Sequence, residues 1–264
     1  MGAALYLLFC LIGFGASIVG AICGIGGGVI IKPLLDAFHV LPVETISFLS
    51  GCTVLTMSTY SVLAARRRGR SQVNQMVGIP LALGAAAGGL LGKILFHAVA
   101  ALFSNVDTVG AVQAGCLLFI TLGTLIYTLK KQRIATRQVK NRALCLFIGL
   151  ALGLMSSFLG IGGGPINLVV LYYFFSMGTK EAAQNSLYII LYSQLASLLQ
   201  SIITGSVPAF PLPLLLVMVL GGLLGGKLGR KINEGIADET VSRLFVALML
   251  VIIGMNIYNI YQFV

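Results

Sequence analysis

Two stretches of the sequence begin with the same glycine run and continue as a short apolar segment: GIGGGVIIKPLL at residues 24–35 and GIGGGPINLVVL at residues 160–171. Each apolar segment has about 10 to 12 residues, or roughly 15 to 18 Å as a helix. That length is too short to cross a hydrocarbon core of about 30 Å. We therefore predict that each glycine run interrupts a helix partway through a membrane and forms a discontinuous hairpin.

Other motifs recur in the same order, which indicates an internal duplication. GGLLGK at 88–93 matches GGLLGGK at 221–227, and GTLIY at 123–127 matches GMNIY at 254–258. We predict a first membrane repeat at 1–129, a basic linker at 130–142 and a second membrane repeat at 143–264, with about five helical elements in each repeat. The predicted elements lie near 3–23, 29–38, 44–65, 72–97, 109–129, 143–160, 165–176, 181–204, 208–229 and 241–263.

Composition fixes the broad class of protein. Hydrophobic residues make up 58% of the chain and charged residues only 9%, and the mean hydropathy is +1.02. A soluble domain has about 25% charged residues. Apolar runs of about 20 residues recur along the whole chain, so the sequence predicts an all-α integral membrane protein. Residues 3–22 lack a basic flank, and we predict a first membrane helix there rather than a signal peptide.

Basic residues, which give the chain a formal charge of +10, concentrate in three clusters at 66–70, 130–142 and 227–243. The hydrophilic breaks near 39–43, 98–108 and 205–209 contain no Lys or Arg. Basic loops are retained in the cytoplasm, so we predict a multi-pass cell-membrane protein with cytoplasmic clusters and both termini extracytoplasmic. Nucleic acid is not needed to explain the charge. Corresponding loops of the two halves differ in charge, which predicts repeats of inverted topology.

The glycine runs are candidate anion-binding elements. Four glycines in five residues release backbone N–H groups at the positive end of the next helix, where an anion binds. The candidate substrate-binding glycines are Gly24, Gly26, Gly27, Gly28, Gly160, Gly162, Gly163 and Gly164. For GGLLGK and GGLLGGK, close helix packing is a sufficient explanation.

Polar and ionisable residues inside apolar segments are the other candidates. The third element of each half is rich in hydroxyls and amides, including Asn185 and Gln194, which predicts a wet cavity; hydrogen bonds between helices are the alternative. Lys32, inside a short apolar segment, is a candidate anion ligand, and the alternative is a lysine that reaches the interface. Asp36, one turn later, is expected to neutralise Lys32.

Three acids are weak candidates for proton coupling: Asp36, Glu44 and Glu181. Glu44 and Glu181 occupy matching positions at the start of the third elements. Stabilisation of a helix N-terminus is the favoured interpretation for both.

The sequence predicts no metal, cofactor or ATP motor. Its five cysteines lack metal spacing and are expected to pack as small residues. The glycine runs lack the Lys-Ser/Thr that follows in a P-loop. An intramembrane hydrolase would need a Ser-His or paired-Asp arrangement. Both histidines, His39 and His97, instead lie near predicted external ends.

The glycine run followed by Pro33, its partner in the second half and the basic linker resemble the sulfite exporter TauE/SafE family over essentially the whole chain. Members of that family are membrane transporters of sulfite, sulfonates and related anions. The resemblance implies that Pro33 and the eight glycines belong to the substrate region. The second copy departs from the pattern: Pro165 follows its glycines directly, and Val169 stands where Pro33 would align.

We therefore predict a secondary transporter of a small anion, with sulfite, sulfonate or another sulfur-containing anion as substrate, working by alternating access in a lipid bilayer. Coupling to protons or to another ion is a further hypothesis. Two alternatives remain open: a passive anion channel and, with less support, an intramembrane enzyme.

Overall fold

The computed structural model describes residues 3–38, 40–103 and 106–263, and over these residues the regular structure is entirely helical. A short 3-10 turn, Lys131–Arg133, follows the fifth of ten α-helices. The helices are α1 (Ala3–Cys23), α2 (Gly28–Asp36), α3 (Val43–Arg67), α4 (Gln75–Ala100), α5 (Val106–Lys130), α6 (Arg142–Phe158), α7 (Pro165–Phe175), α8 (Thr179–Ile203), α9 (Leu212–Gly235) and α10 (Asp238–Phe263).

Helix lengths confirm the predicted all-α membrane fold. Within the described residues, seven helices are long and apolar enough to cross a membrane: α1, α3, α4, α5, α8, α9 and α10. The helices after the two glycine runs are short, with 9 residues in α2 and 11 in α7. As predicted, neither reaches the roughly 20 residues that a crossing needs.

The boundary between α9 and α10 differs from the prediction. The sequence placed the end of the ninth element at residue 229, but α9 continues to Gly235 and α10 begins at Asp238. The cationic residues Arg230 and Lys231 consequently lie on a helix rather than in a loop. Arg and Lys are good helix formers, so a polar stretch that contains them extends an apolar helix instead of ending it.

One end of the bundle gathers the predicted basic segments, and we call it the linker end. It contains the C-terminal ends of α3, α7 and α9 and the N-terminal ends of α8 and α10. Three contacts define it: Arg68 Nη1 to Glu234 Oε2 at 3.2 Å, Lys180 Nζ to Asp238 Oδ1 at 3.9 Å, and Arg137 N to Tyr173 O at 2.7 Å. The opposite end, which we call the far end, contains the Phe48–Phe210 ring stack and the 3.8 Å contact between His97 and Glu44.

The helices on either side of each glycine run form a hairpin, α1 with α2 and α6 with α7. The longer helix of each hairpin packs against the fourth helix of the other half, α1 on α9 and α6 on α4. Glycines at every fourth position make this possible, because a Cβ at these positions would crowd or overlap backbone atoms of the facing helix. They are Gly84, Gly88 and Gly92 against α6, and Gly221, Gly225 and Gly229 against α1. The packing role predicted for GGLLGK and GGLLGGK is thereby confirmed.

Candidate functional site: two cavities around paired glycine turns

The glycines at the first and third positions of the two runs adopt matching left-handed conformations, whereas Gly163 has a φ of +143° and its counterpart Gly27 a φ of −69°. Gly26 has a φ of +76° and Gly162 a φ of +67°, a left-handed conformation that costs residues with a side chain roughly 1–2 kcal/mol. The isoleucine before each of these glycines, Ile25 or Ile161, is fully or almost fully buried. In the sequence Gly-Ile-Gly, the glycines thus allow the chain to turn, and the buried isoleucine anchors the turn in the core.

The turns are in contact with each other although they are 136 positions apart in the chain. A Cβ at Gly28 would overlap the carbonyl oxygen of Ile161, and a Cβ at Gly163 would lie 3.1 Å from that of Ile25. Among the hydrogen bonds of the described residues, none uses the backbone N–H of Gly26 or Gly163. Donors of the kind proposed for anion binding are therefore present; their use in binding stays a prediction.

Two apolar side chains close the space beside the turns. Val54 of α3 and Ile190 of α8 are both 0% exposed. A Cβ at Gly26 would lie 3.4 Å from Val54 Cγ1 and 3.4 Å from Ile190 Cδ1, and Val54 would also lie 2.9 Å from a Cβ at Gly162. Val54 and Ile190 are themselves 136 positions apart. We call this pair the apolar plug.

The linker-end cavity lies on one side of the plug. Its volume is about 510 Å³, including the open mouth. Arg230 lines it but is already bound: its guanidinium donates to the carbonyl oxygen of Ser61 and, at 3.0 Å, to Glu234 Oε1. Its lining residues are Ala21, Ser61, Val62, Ala65, Ser71, Val73, Ala183, Gln184, Leu187, Arg230, Asn233 and Glu234.

The far-end cavity lies on the other side and has a volume of about 380 Å³, including the mouth. Lys93 is the sole charged residue in its described lining, and its ammonium makes no hydrogen bond or ion pair with any described residue; the Phe96 ring centroid is 5.2 Å away. The lining consists of Ser47, Phe48, Lys93, Phe96, Gln113, Ser157, Gly160, Gln194, Ser197, Leu198 and Ser201.

About half of each cavity lining lies at equivalent positions of the two halves. Six pairs of lining residues are 136 positions apart: Ala21 and Ser157, Ser61 and Ser197, Val62 and Leu198, Ala65 and Ser201, Ser47 and Ala183, Phe48 and Gln184. In three of these pairs the far-end cavity has serine where the linker-end cavity has alanine. The far-end cavity is therefore the one richer in hydroxyl groups.

Lys32 and Asp36 form a buried ion pair on α2. Lys32 Nζ is 2.6 Å from Asp36 Oδ2, and the two side chains are 4% and 5% exposed. The expected neutralisation of Lys32 by Asp36 is confirmed. Lys32 Cε would lie 3.3 Å from a Cβ at Gly160, a lining residue of the far-end cavity, so the ion pair lies behind the cavity wall. Pro33 is also anchored, because its carbonyl oxygen accepts a 2.8 Å bond from Asn259.

The two amides predicted for the site lie apart on α8. Gln194 lines the far-end cavity, and its Cδ would lie 3.1 Å from a Cβ at Gly162. Asn185 is instead at the linker end, where it donates to the carbonyl oxygens of Glu181 and Gln72 at 2.9 Å and 3.2 Å. The structure thus brings Gln194, but not Asn185, to the cavity at the second glycine turn.

The acids considered for proton coupling occupy helix ends or the ion pair. Glu44 and Glu181 lie in the first turns of α3 and α8, where carboxylates stabilise the helix. The Glu44 side chain is 47% exposed. Their role in coupling stays a prediction. His39 lies outside the described residues.

Lys93 was missed by the sequence interpretation because it closes the GGLLGK motif, whose glycines had a sufficient packing explanation. The available signal was a lysine within an apolar helix that is long enough to span a membrane. Within the described residues, no group of three His, Cys, Asp or Glu side chains is arranged to hold a metal ion, and all five cysteines are free.

Comparison with known proteins gives one result at the level of the family. The model of the family described as sulfite exporter TauE/SafE matches residues 9–257, almost the full length of the chain. No curated protein and no solved structure matches. The family match agrees with the seven apolar helices and identifies a multi-pass membrane protein of a transporter family. This chain belongs to the sulfite exporter TauE/SafE family.

Proposed function

We propose that the protein carries a small sulfur-containing oxyanion, sulfite or a sulfonate, across the membrane by alternating access between inverted repeats. One observation carries the proposal: two cavities that share six pairs of equivalent lining positions lie on opposite sides of the paired glycine turns and the apolar plug. Exchange of conformation between two equivalent halves would open one cavity while it closes the other.

The chemistry of the far-end cavity supports an anionic substrate. Lys93 supplies positive charge, and the described lining contains no Asp or Glu to neutralise it. An ionisable group at membrane depth is expensive to bury and marks substrate pathways. Serine hydroxyls and amide groups supply the remaining hydrogen-bonding capacity.

The plug favours a carrier over a passive channel. The two cavities share no lining residue, and Val54 and Ile190 between them are fully buried. The contacts between α1 and α9 and between α4 and α6 are lined by glycines, which have no side chains to interlock. Sliding of one hairpin along the facing fourth helix would separate Val54 from Ile190.

The charge distribution supports one orientation. The linker end holds the three basic clusters and would face the cytoplasm, so both termini would be extracytoplasmic. The linker-end cavity then opens to the cytoplasm and the far-end cavity to the outside. An exporter would load at the first and release from the second.

Flux in proteoliposomes tests carrier transport. We expect sulfite uptake that saturates with concentration and accelerates when unlabelled sulfite is loaded on the opposite side. An imposed pH gradient tests the proposed coupling to protons. Linear flux without counterflow would replace the carrier with a channel, and absence of sulfite or sulfonate flux would reject the proposed substrate.

Single cysteines at equivalent cavity positions test the proposed orientation. In a background without the five native cysteines, Ser61→Cys represents the linker-end cavity and Ser197→Cys the far-end cavity. We expect an impermeant maleimide to label Ser197→Cys from outside intact cells and Ser61→Cys from outside inverted vesicles, where the cytoplasmic face of the membrane is exposed. Outside labelling of Arg137→Cys, in the basic linker, would overturn the topology.

A further inference from the structure

We propose that the far-end cavity binds one small oxyanion of single negative charge, with the Lys93 ammonium as its counter-ion and the hydroxyls of Ser47 and Ser157 as donors. The inference rests on the proposed function and deepens it. It assigns a binding site to the substrate and states that this site binds monoanions in preference to dianions.

Lys93 differs from the other buried lysine in the described chain. Lys32 and Lys93 are 3% and 8% exposed, but the carboxylate of Asp36 lies 2.6 Å from Lys32, whereas no described acid lies within ion-pair distance of Lys93. Glu44, which acts on Lys93 only through longer-range electrostatics, is engaged at 3.8 Å with His97 and is half exposed. Burial of an unpaired ammonium is costly, and an anion in the cavity offsets that cost.

Two hydroxyl groups beside the cavity have no partner among the described residues. Ser47 and Ser157 are 9% and 5% exposed, and the Oγ atom of each makes no hydrogen bond. Buried hydroxyls in that state cost free energy unless a ligand satisfies them. Ser47, Lys93 and Ser157 come from α3, α4 and α6, so three helices of the two halves supply the proposed contacts.

An amide adds an acceptor to this set of donors. Gln113 donates its Nε2 to the carbonyl oxygen of Phe158 at 2.6 Å, which fixes the orientation of the amide. Its Oε1 is left without a partner among the described residues. An unpaired carbonyl oxygen suits a ligand that carries a hydrogen, such as hydrogen sulfite.

The charge balance selects monoanions. Lys93 supplies one positive charge, and the rest of the described lining is neutral. A second negative charge on the ligand would be buried with neutral dipoles as its sole compensation, which is unfavourable at low dielectric. Arg230 is in the other cavity and already bound to Glu234. The site should therefore prefer hydrogen sulfite or a sulfonate to sulfate.

Calorimetric titration of the purified, detergent-solubilised protein tests the site with two probes of fixed charge. In gluconate buffer at constant ionic strength, we expect methanesulfonate, a monoanion, to bind at least about tenfold more tightly than sulfate, a dianion. Lys93→Met should weaken methanesulfonate binding by about tenfold to a hundredfold, and Lys93→Arg should restore part of the loss. Ser157→Ala should weaken binding by roughly twofold to tenfold.

Lys227→Met is the matched control. Lys227 closes the equivalent GGLLGGK motif but is exposed, so this variant should bind as the parent does. Lys93→Gln, which keeps a polar side chain, replaces Lys93→Met if that variant does not fold. Parent-like binding by the neutral Lys93 variant would remove Lys93 from the site, and equal affinities for the two probes would overturn the charge class.

Flux measurements on the same variants separate this inference from the proposed function. If the parent transports sulfite and the neutral Lys93 variant binds and transports as the parent does, the proposed site is refuted but the proposed function is not. Lys93-dependent binding in a parent without flux would refute the carrier and leave the site standing.

Discussion

The two glycine hairpins share left-handed glycines in their turns but differ in side chains. Lys32 and Asp36 form an ion pair on α2, whereas the positions 136 residues later on α7 hold Leu168 and Tyr172. These two residues are 1% and 7% exposed, so both hairpins are buried and only the first places charge there. An apolar pair evidently suffices for packing at these positions, which indicates that the ion pair of the first hairpin is not a general requirement of the fold.

The two cavities diverge in the same manner. The linker-end cavity has Ala21, Ala65 and Ala183 where the far-end cavity has serines, and its arginine is bound to a carboxylate while Lys93 is not. The two halves thus share the left-handed glycines of the turns and the glycine-lined contacts. The divergent part is the chemistry available to a ligand.

Breaking the ion pair of the first hairpin should have the largest effect. Lys32→Leu alone removes the ammonium that lies 2.6 Å from the buried Asp36 carboxylate, and we expect a loss of about 3–5 kcal/mol in the free energy of unfolding. The double variant Lys32→Leu/Asp36→Tyr copies the second hairpin and should recover most of that loss. Unfolding in detergent measures both.

Flux through the double variant then separates structure from function. Normal transport would mean that the pair is structural, and a stable but inactive protein would assign it to the transport cycle. A single variant as stable as the parent would contradict the buried ion pair.

Alanine at equivalent glycines should sharpen the comparison of the two turns. Gly162→Ala places its Cβ 2.9 Å from Val54 Cγ1 and 3.1 Å from Gln194 Cδ, whereas Gly26→Ala meets its neighbours at 3.4 Å. Both adopt positive φ. We expect a cost of about 1–2 kcal/mol at Gly26 and of about 2–4 kcal/mol at Gly162 from thermal unfolding, because crowding adds to the backbone strain.

Gly254→Ala on α10 is the control for these variants, because its Cβ would meet nothing within 4 Å. It should unfold as the parent does or slightly later, since alanine favours helix over glycine. If Gly26→Ala and Gly162→Ala lowered the stability by the same amount, the second turn would have more room for a side chain than its contacts indicate.

Exchanging serine and alanine between the cavities has a smaller expected effect. Ser47→Ala removes a proposed donor and should weaken methanesulfonate binding by roughly twofold to tenfold, the value of a neutral hydrogen bond. Ala183→Ser, at the equivalent position of the linker-end cavity, should leave affinity in the far-end cavity unchanged. If calorimetry showed that Ala183→Ser changes the affinity for methanesulfonate and Ser47→Ala does not, the proposed site would lie in the linker-end cavity instead.

The smallest effect is expected at the mouth of the linker-end cavity. Arg68 pairs with Glu234 at 3.2 Å, but its side chain is 56% exposed. We expect Arg68→Ala to lower the free energy of unfolding by roughly 0.2–1 kcal/mol in low salt and by less in high salt. A loss that salt does not diminish would show that Arg68 acts through packing instead.

The sequence by itself determined the membrane class, the short helices after the glycine runs and the family. These follow from local physics: apolar run length sets what crosses a bilayer, and glycine sets where a helix stops. The neutralisation of Lys32 by Asp36 was also predictable, because residues four apart face the same side of a helix. The motif that ends in Lys93 was visible too, but spacing alone gave only its packing role.

Tertiary structure decided what is nonlocal. Gly26 and Gly162 meet because two hairpins cross, and no spacing rule predicts which turns come into contact. Asn185 and Gln194 are both polar residues of α8, yet one binds a loop and the other lines a cavity, since helix position relative to neighbouring elements sets each environment. Lys93 gains its significance in the same way: the sequence shows a lysine in an apolar helix, and only the packing of α3, α4, α6 and α8 surrounds it with hydroxyls and with no acid in the described lining.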